Sequence, residues 1–483
     1  MVVNSLSFLV FFLVVFAVYY LPLFKKNARF QNIWLFITSY FFYGYADWRM
    51  IPLLLGATVV FYLLGLWLKK EMNNGRNRLA SWITTVGVLL GVGVLLYFKY
   101  LNFFADSFAT LLNSIGLHVT WTTLHIVMPI GVSFFTFKLI SYVIEIHREH
   151  IDPSKDFIEF GTYIAFFPTI LSGPIDRPAK FIPQLSSVRT LDYDFAVVGC
   201  RQILWGMFKK MVIADNCAMI VDECWGNLSG QSSLMLVVTM FVYMIQMYAD
   251  FSGYSDMAIG VGKLLGIRIA ENFRYPLFAT NMAEYWRRWH MSLTSWLTDY
   301  VFMPLNVKFR DLANIGIILA IIINMLVVGF WHGANWTFGV FGLYHGLLFI
   351  PLILSGSFFK KTKMKTNAWD LPSFSDASKM LLTVTLAAFG LVIFRADNVA
   401  QAFQYVVGMF SFKGFDIVNE AMLLRMAVFS LLMFAIEWKH RKSPFGLDLT
   451  LKSQVAKFAI YFFLIAMIFI YGGNAEQFIY FQF

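Results

Sequence analysis

The sequence predicts an all-α polytopic membrane protein, and three observations carry that prediction. Hydrophobic residues fill 59% of the 483 positions and charged residues only 14%. The mean hydropathy is +0.66, well outside the balance of a soluble domain. The apolar residues are also gathered into stretches near the ~20 residues that a helix needs to cross a hydrocarbon core.

Those stretches run over residues 5–24, 31–46, 50–68, 80–98, 125–146, 157–172 and 195–221, then 232–249, 313–331, 336–356, 379–395, 421–437 and 455–473. Helix is the expected form, because in lipid each segment must satisfy its own backbone groups. Some should be re-entrant or partial, so about a dozen spans are expected. The first follows Met1-Val2-Val3-Asn4-Ser5. That start has no basic n-region and no small-residue cleavage site, so it reads as a retained span.

The net charge of +10 does not imply nucleic acid, because the basic residues sit in short loops between apolar segments. Lys25, Lys26 and Arg29 follow the first span; Lys69, Lys70, Arg76 and Arg78 follow the third; Lys439, Arg441, Lys442 and Lys452 precede the last. As cytoplasmic topology signals they place both termini outside and require an even number of crossings. Residues 360–379 form the most polar break and read as an exposed loop. Cys200, Cys217 and Cys224 have no metal-ligand spacing, and Cys217 and Cys224 read as small buried hydrophobes. Neither an internal repeat nor a low-complexity linker is present.

Residues 250–311 mix charges with Trp, Tyr, Phe and Gly, a pattern suited to helices lying at or dipping into the interface. Within them, residues 286–300 have a helical period. Arg288, Ser292, Ser295 and Asp299 form a polar stripe; Trp286, Trp289, Leu293, Trp296, Leu297 and Tyr300 form an apolar one. His290 falls with the apolar stripe and is expected to face inward. Asp250 and Asp256, in Tyr248 to Asp256, read as capping residues at a helix break.

The second histidine of interest is His332, in Gly329-Phe330-Trp331-His332-Gly333-Ala334-Asn335-Trp336, with apolar runs on both sides. Ionisable groups at membrane depth are costly and mark sites or pathways. Burial disfavours the imidazolium, and a neutral ring is the state a general base requires. The alternative is a packing residue whose nitrogens meet neighbouring carbonyls or Asn335. His345 lies thirteen residues further on, nearly ~20 Å along a continuous helix, and is assigned to another level of the bundle. His118, His125, His147, His150 and His440 lie near segment ends or charged loops and receive no chemistry. A metal site has little support: there is no His-Glu-x-x-His, no Cys pair and no carboxylate at ligand spacing from either histidine.

With these residues in view, the chain resembles the membrane-bound O-acyltransferase family, and within it the membrane subunits of bacterial alginate O-acetyltransferases. The resemblance rests on Met128 to Phe137, Gly173-Pro174-Ile175-Asp176-Arg177, Tyr248 to Gly260, Glu271-Asn272-Phe273, Trp286 to His290, Gly329 to Trp336 and Phe394-Arg395-Ala396. It implies a ring of about 11–12 transmembrane helices, with re-entrant or interfacial helices around a central tunnel. It also implies that His332 holds the catalytic histidine position and His290 the polar position beside it. Trp331, Asn335, Trp286 and Asp250 are assigned supporting positions. Lys138 stands where relatives often carry Gln, and Thr298 where many carry Arg.

The carboxyl terminus, Phe478-Ile479-Tyr480-Phe481-Gln482-Phe483, is by composition an interfacial anchor. It also resembles the terminal aromatic-Tyr-aromatic motif of polymer-acylating relatives, which implies that Tyr480 is a transient acyl carrier. A phenol near pKa ~10 is easier to deprotonate than an alcohol, and its ester stays activated. The chain thus divides into a transmembrane bundle over 1–454 and a last span with an extracytoplasmic tail over 455–483.

The function expected from this resemblance is transfer of an acetyl group from a cytoplasmic thioester, acetyl-CoA, for O-acetylation of an exported or cell-wall polysaccharide. No cofactor is expected to be resident, the donor being a substrate. The expected partners are the polysaccharide, the lipid bilayer of the bacterial inner membrane and an extracytoplasmic SGNH-type acetyltransferase. A transporter or flippase built on broken helices, or an export scaffold, is the alternative. No inverted repeat supports transport.

Overall fold

A computed structural model describes residues 3–117, 126–360, 364, 366, 367, 369–449, 453–472, 478 and 479. Among them helices form throughout, and the only β pairing is an isolated bridge between Thr366 and Pro372. Eight helical stretches are long and apolar enough to cross a membrane. The first of these, Ala28–Asn73, is 46 residues long. It turns at Trp48–Met50 into two helices, Ala28–Asp47 and Ile51–Asn73, so it has the length for two crossings.

Three expected spans fall short of full helices for visible reasons. Over 125–146 the helix begins only at Val132. Gly131 before it has φ +75°, and a Cβ there would lie 2.4 Å from the Ile170 carbonyl oxygen. Over 157–172 the helix ends at Ala165, just ahead of Phe167-Pro168, because a residue before proline disfavours helix, and turns run on to Ser172. Over 195–221 the helix Tyr193–Met207 passes into a π-helical segment, Phe208–Ala214, before Asp215–Gly226. That segment carries two buried lysines, Lys209 and Lys210.

Another expectation needs correction. Tyr248 to Asp256 is no helix break: Ser233–Leu264 is one helix of 32 residues. Asp250 and Asp256 cap nothing. They sit mid-helix because each is paired with a lysine, at 2.6 Å from Lys210 and Lys209 respectively. Charge pairing thus lets the helix run through a region whose acidic residues suggested an interruption.

The chain divides into two compact units, one of Met1–Cys200 with Ala258–Ala270 and one of Arg201–Met257 with Glu271–Phe483. In the first unit Arg189 is a buried tie. Its guanidinium donates to the Tyr19 hydroxyl at 2.5 Å and to Asn32 Oδ1 at 2.7 Å, while Gln31 bonds both its backbone N–H and carbonyl. Lys138 is also fully buried there, donating to Thr169 Oγ1 at 3.0 Å and the Tyr163 carbonyl at 3.2 Å.

In the second unit, the helices Ala313–His332 and Trp336–Leu348 form a close antiparallel hairpin. Glycines permit the approach. A Cβ on Gly329 would lie 2.1 Å from the Phe338 carbonyl oxygen, and one on Gly342 would lie 2.3 Å from that of Met325. Small residues let membrane helices pack backbone to backbone, where dispersion contacts take the place of a hydrophobic drive.

Candidate active site

His332 is the last residue of its helix, because Gly333 turns extended at φ −169°. Asn335 then starts the return helix as its N-cap, accepting from the Thr337 N–H at 3.1 Å. The Asn335 side-chain NH₂ donates to the Asp397 carbonyl at 2.7 Å. Both ends of its amide therefore hold the turn that presents His332. The imidazole is only 5% exposed, edge-on to the rings of Phe394 at 5.0 Å and Trp331 at 4.9 Å.

His290 reaches the interior by a different route from the one its spacing suggested. Residues 286–300 are not one helix: Met282–Arg288 ends, and His290 stands in left-handed backbone, φ 43° and ψ 51°, before Met291–Leu297. The ring is fully buried, so its inward direction agrees with the spacing while the cause is the break. Ser292, placed by period on the polar face, is buried as well.

Asn272 organises this break. His290 Nδ1–H donates to Asn272 Oδ1 at 2.9 Å, the Ser292 hydroxyl donates to the same oxygen at 2.8 Å, and the Met291 N–H donates to the Asn272 carbonyl at 2.8 Å. The Asn272 NH₂ in turn donates to Ser255 Oγ at 3.2 Å. An amide oxygen can only accept, so it assigns a proton to Nδ1, and in the neutral ring this leaves Nε2 as the accepting nitrogen. Trp331 stands between the two histidines, 5.5 Å from His290 and 4.9 Å from His332. Two buried imidazoles flanking one indole, each set by a helix end, can hold an acceptor and move its proton.

The sequence pattern of the membrane-bound O-acyltransferase family matches residues 40–394, a range that contains both histidines. The chain belongs to the membrane-bound O-acyltransferase family. It is 36% identical over 441 residues to the "Probable alginate O-acetylase AlgI" of Azotobacter vinelandii, covering 90% of this chain and 83% of that protein. The protein of the same name from Pseudomonas aeruginosa is also 36% identical, over 443 residues, covering 90% and 80%. A "Peptidoglycan O-acetyltransferase" of Helicobacter pylori is 30% identical over 435 residues, covering 83% and 77%. The protein is thus a polytopic membrane acyltransferase.

Other residues of this O-acyltransferase fall as follows. Trp286 is turned to His345: its indole N–H donates to His345 Nδ1 at 3.3 Å. His345 is not on a continuation of the His332 helix. It lies on the return helix of the hairpin, where a Cβ on its neighbour Gly346 would lie 3.2 Å from the Cα of Ile322. Phe341 stands between, 6.1 Å from His332 and 4.6 Å from His345. His118 and His125 lie outside the described residues, as does Tyr480. Among the described residues no three His, Cys, Asp or Glu side chains gather as metal ligands.

Two features escaped the sequence reading. Asn272 has no local pattern to mark it beyond its place in Glu271-Asn272-Phe273. Lys209 and Lys210 are adjacent charges inside an apolar run, a signal that was present, since such charges in lipid demand partners. Lys210 bridges Asp250 at 2.6 Å and Asp215 at 2.7 Å. Asp250 Oδ2 accepts the backbone N–H of Ile479 at 3.0 Å. Phe478 stacks on Tyr254 at 4.7 Å and lies 5.7 Å from Phe251, whose own ring is 4.6 Å from His290.

Proposed function

We propose that this membrane O-acyltransferase moves an acetyl group from acetyl-CoA, a cytoplasmic thioester, across the bacterial inner membrane for O-acetylation of an exported or cell-wall polysaccharide of the alginate type. The observation that carries the reading is the His290–Trp331–His332 arrangement in a chain that aligns over 90% of its length with relatives named for alginate acetylation. The basic loops support a topology with both termini outside.

His332 is the general base. It takes the phenolic proton of Tyr480 as that oxygen attacks the thioester carbonyl, and positioned base catalysis of this kind contributes roughly 10² to 10⁴ in rate. The C–S bond breaks, the thiol leaves with the proton from the imidazolium, and an aryl ester remains on Tyr480. His290, its tautomer set by Asn272, orients the acceptor or steadies the oxyanion. The ester then passes to a sugar hydroxyl through an extracytoplasmic SGNH-type acetyltransferase partner, and the phenol recovers its proton. Placement of Phe478 one aromatic ring from His290 supports a tail that serves this site.

Intact-mass and peptide analysis of protein given labelled acetyl-CoA tests the route. One added acetyl group on the tail is expected for the wild type, and none for His332→Ala or Tyr480→Phe. Tail labelling that survives His332→Ala would end the role of His332 as base.

A further inference from the structure

The contact between Asp250 and the backbone of Ile479 is unusual in kind. A buried aspartate sits mid-helix in Ser233–Leu264, 229 residues from the tail it bonds. Its carboxylate is divided between two tasks. Oδ1 lies 2.6 Å from the Lys210 ammonium, and Oδ2 accepts the Ile479 N–H at 3.0 Å. Lys210 is held from its other side by Asp215 at 2.7 Å, and the π-helical segment Phe208–Ala214 turns Lys210 into the interior beside Lys209.

One turn along the same helix, Tyr254 stacks on Phe478 with rings 26° apart, and Phe251 meets Phe478 at 5.7 Å. Phe478 is fully buried and Ile479 is 7% exposed. A single helix therefore supplies a carboxylate for the tail's backbone and an aromatic slot for the residue before it. A hydrogen bond from an amide to a carboxylate is about twice as strong as one between neutral groups. Because it reads the main chain, it fixes register whatever the side chain at 479.

We propose that Asp250, aimed by Lys210, is a positioning residue that latches the C-terminal tail in register at its Ile479 amide, so that the following residue is delivered to the histidine pair. The inference deepens the reading of Tyr480 as acyl carrier and rests on it for its purpose, though not for the latch itself. Asp250 acts through the tail.

The test compares full-length Ile479→Pro with Ile479→Ala. Proline deletes the N–H that Asp250 accepts, whereas alanine keeps it, and neither change disturbs the buried lysine pair. Hydrogen–deuterium exchange over residues 472–483 reports docking without any chemistry, and tail acetylation is read on the same samples by mass. For Ile479→Pro, exchange of the remaining tail amides should rise about ten-fold or more and acetylation should fall by a similar factor. Ile479→Ala loses the buried side chain but keeps the N–H, so both readings should move several-fold less than in Ile479→Pro. Asp250→Asn should fall between, since its amide oxygen can still accept.

Equal exchange in the proline and alanine variants would overturn the latch. The two readings separate the ideas. Proline-specific release of a tail that never carries acetyl would uphold the latch and reject Tyr480 as carrier. Acetyl on Tyr480 with exchange indifferent to the 479 amide would do the reverse.

Discussion

A histidine in left-handed backbone can be replaced only by residues that tolerate φ near 43°, which makes position 290 a test of ring against backbone. Asparagine and glycine visit that region readily, and β-branched residues do not. His290→Asn should therefore melt within a few degrees of wild type in detergent while losing about ten-fold or more of acyl transfer, since it lacks the accepting Nε2. His290→Val should lose transfer and also about 1–3 kcal/mol of stability. If both variants melt alike, the left-handed backbone is not a constraint at this position. Asn272→Ala would remove the acceptor for His290 and Ser292 together. It should cost about 1–3 kcal/mol and lower transfer without changing donor binding, measured as kcat against KM. At this scale the sequence was partly legible. An expensive histidine is visible in a motif such as Trp331-His332-Gly333, but the partner that fixes a tautomer is a lone asparagine 18 residues away. No periodicity reports that.

At the scale of elements, the helical hairpin that carries His332 depends on glycines whose neighbours are backbone atoms and cannot yield. Gly342→Ala would press a methyl within 2.3 Å of the Met325 carbonyl, and Gly329→Ala within 2.1 Å of that of Phe338. Each should destabilise by about 1–3 kcal/mol and pull His332 off the Trp331–Phe394 bracket, lowering transfer. Gly56 provides the contrast: it lies inside the helix Ile51–Asn73, and nothing would meet an added Cβ within 4 Å. Gly56→Ala should be neutral or up to ~1 kcal/mol stabilising. Melting curves of the three variants in one detergent check the order, and a Gly342→Ala protein as stable as Gly56→Ala would contradict the close packing. The two helices of the hairpin were readable as apolar runs parted by Gly333 to Asn335, but their reversal was not, since spacing set His345 along a continuous helix. The breaks at His290 and in Phe208–Ala214 were not, because a period of 3.6 survives a short interruption and both flanks keep their apolar faces.

For the whole molecule, composition was enough to establish the class, while the places where turns and π-helical segments interrupt the apolar runs were not visible in it. What it left dark are the long-range charge pairs, whose partners lie tens to hundreds of residues apart in sequence. In the second unit Lys209 lies 2.6 Å from Asp256, 2.9 Å from Ser252 Oγ and 3.9 Å from Glu437. Gln202 donates to Asp256 at 2.7 Å and the Tyr248 hydroxyl to Glu437 at 2.8 Å. This cluster joins Tyr193–Met207, Phe208–Ala214, Ser233–Leu264 and Glu420–Lys439 through groups that are buried, apart from a partly exposed Asp256. A buried pair need not add net stability, yet removing one member strands a charge at a cost of about 3–5 kcal/mol. Lys209→Met should therefore melt well below wild type. Adding Asp256→Asn should restore part of that loss, because the stranded carboxylate is gone, with a coupling of about 1–3 kcal/mol. Losses that simply add in the double variant would mean that Lys209 and Asp256 do not neutralise one another.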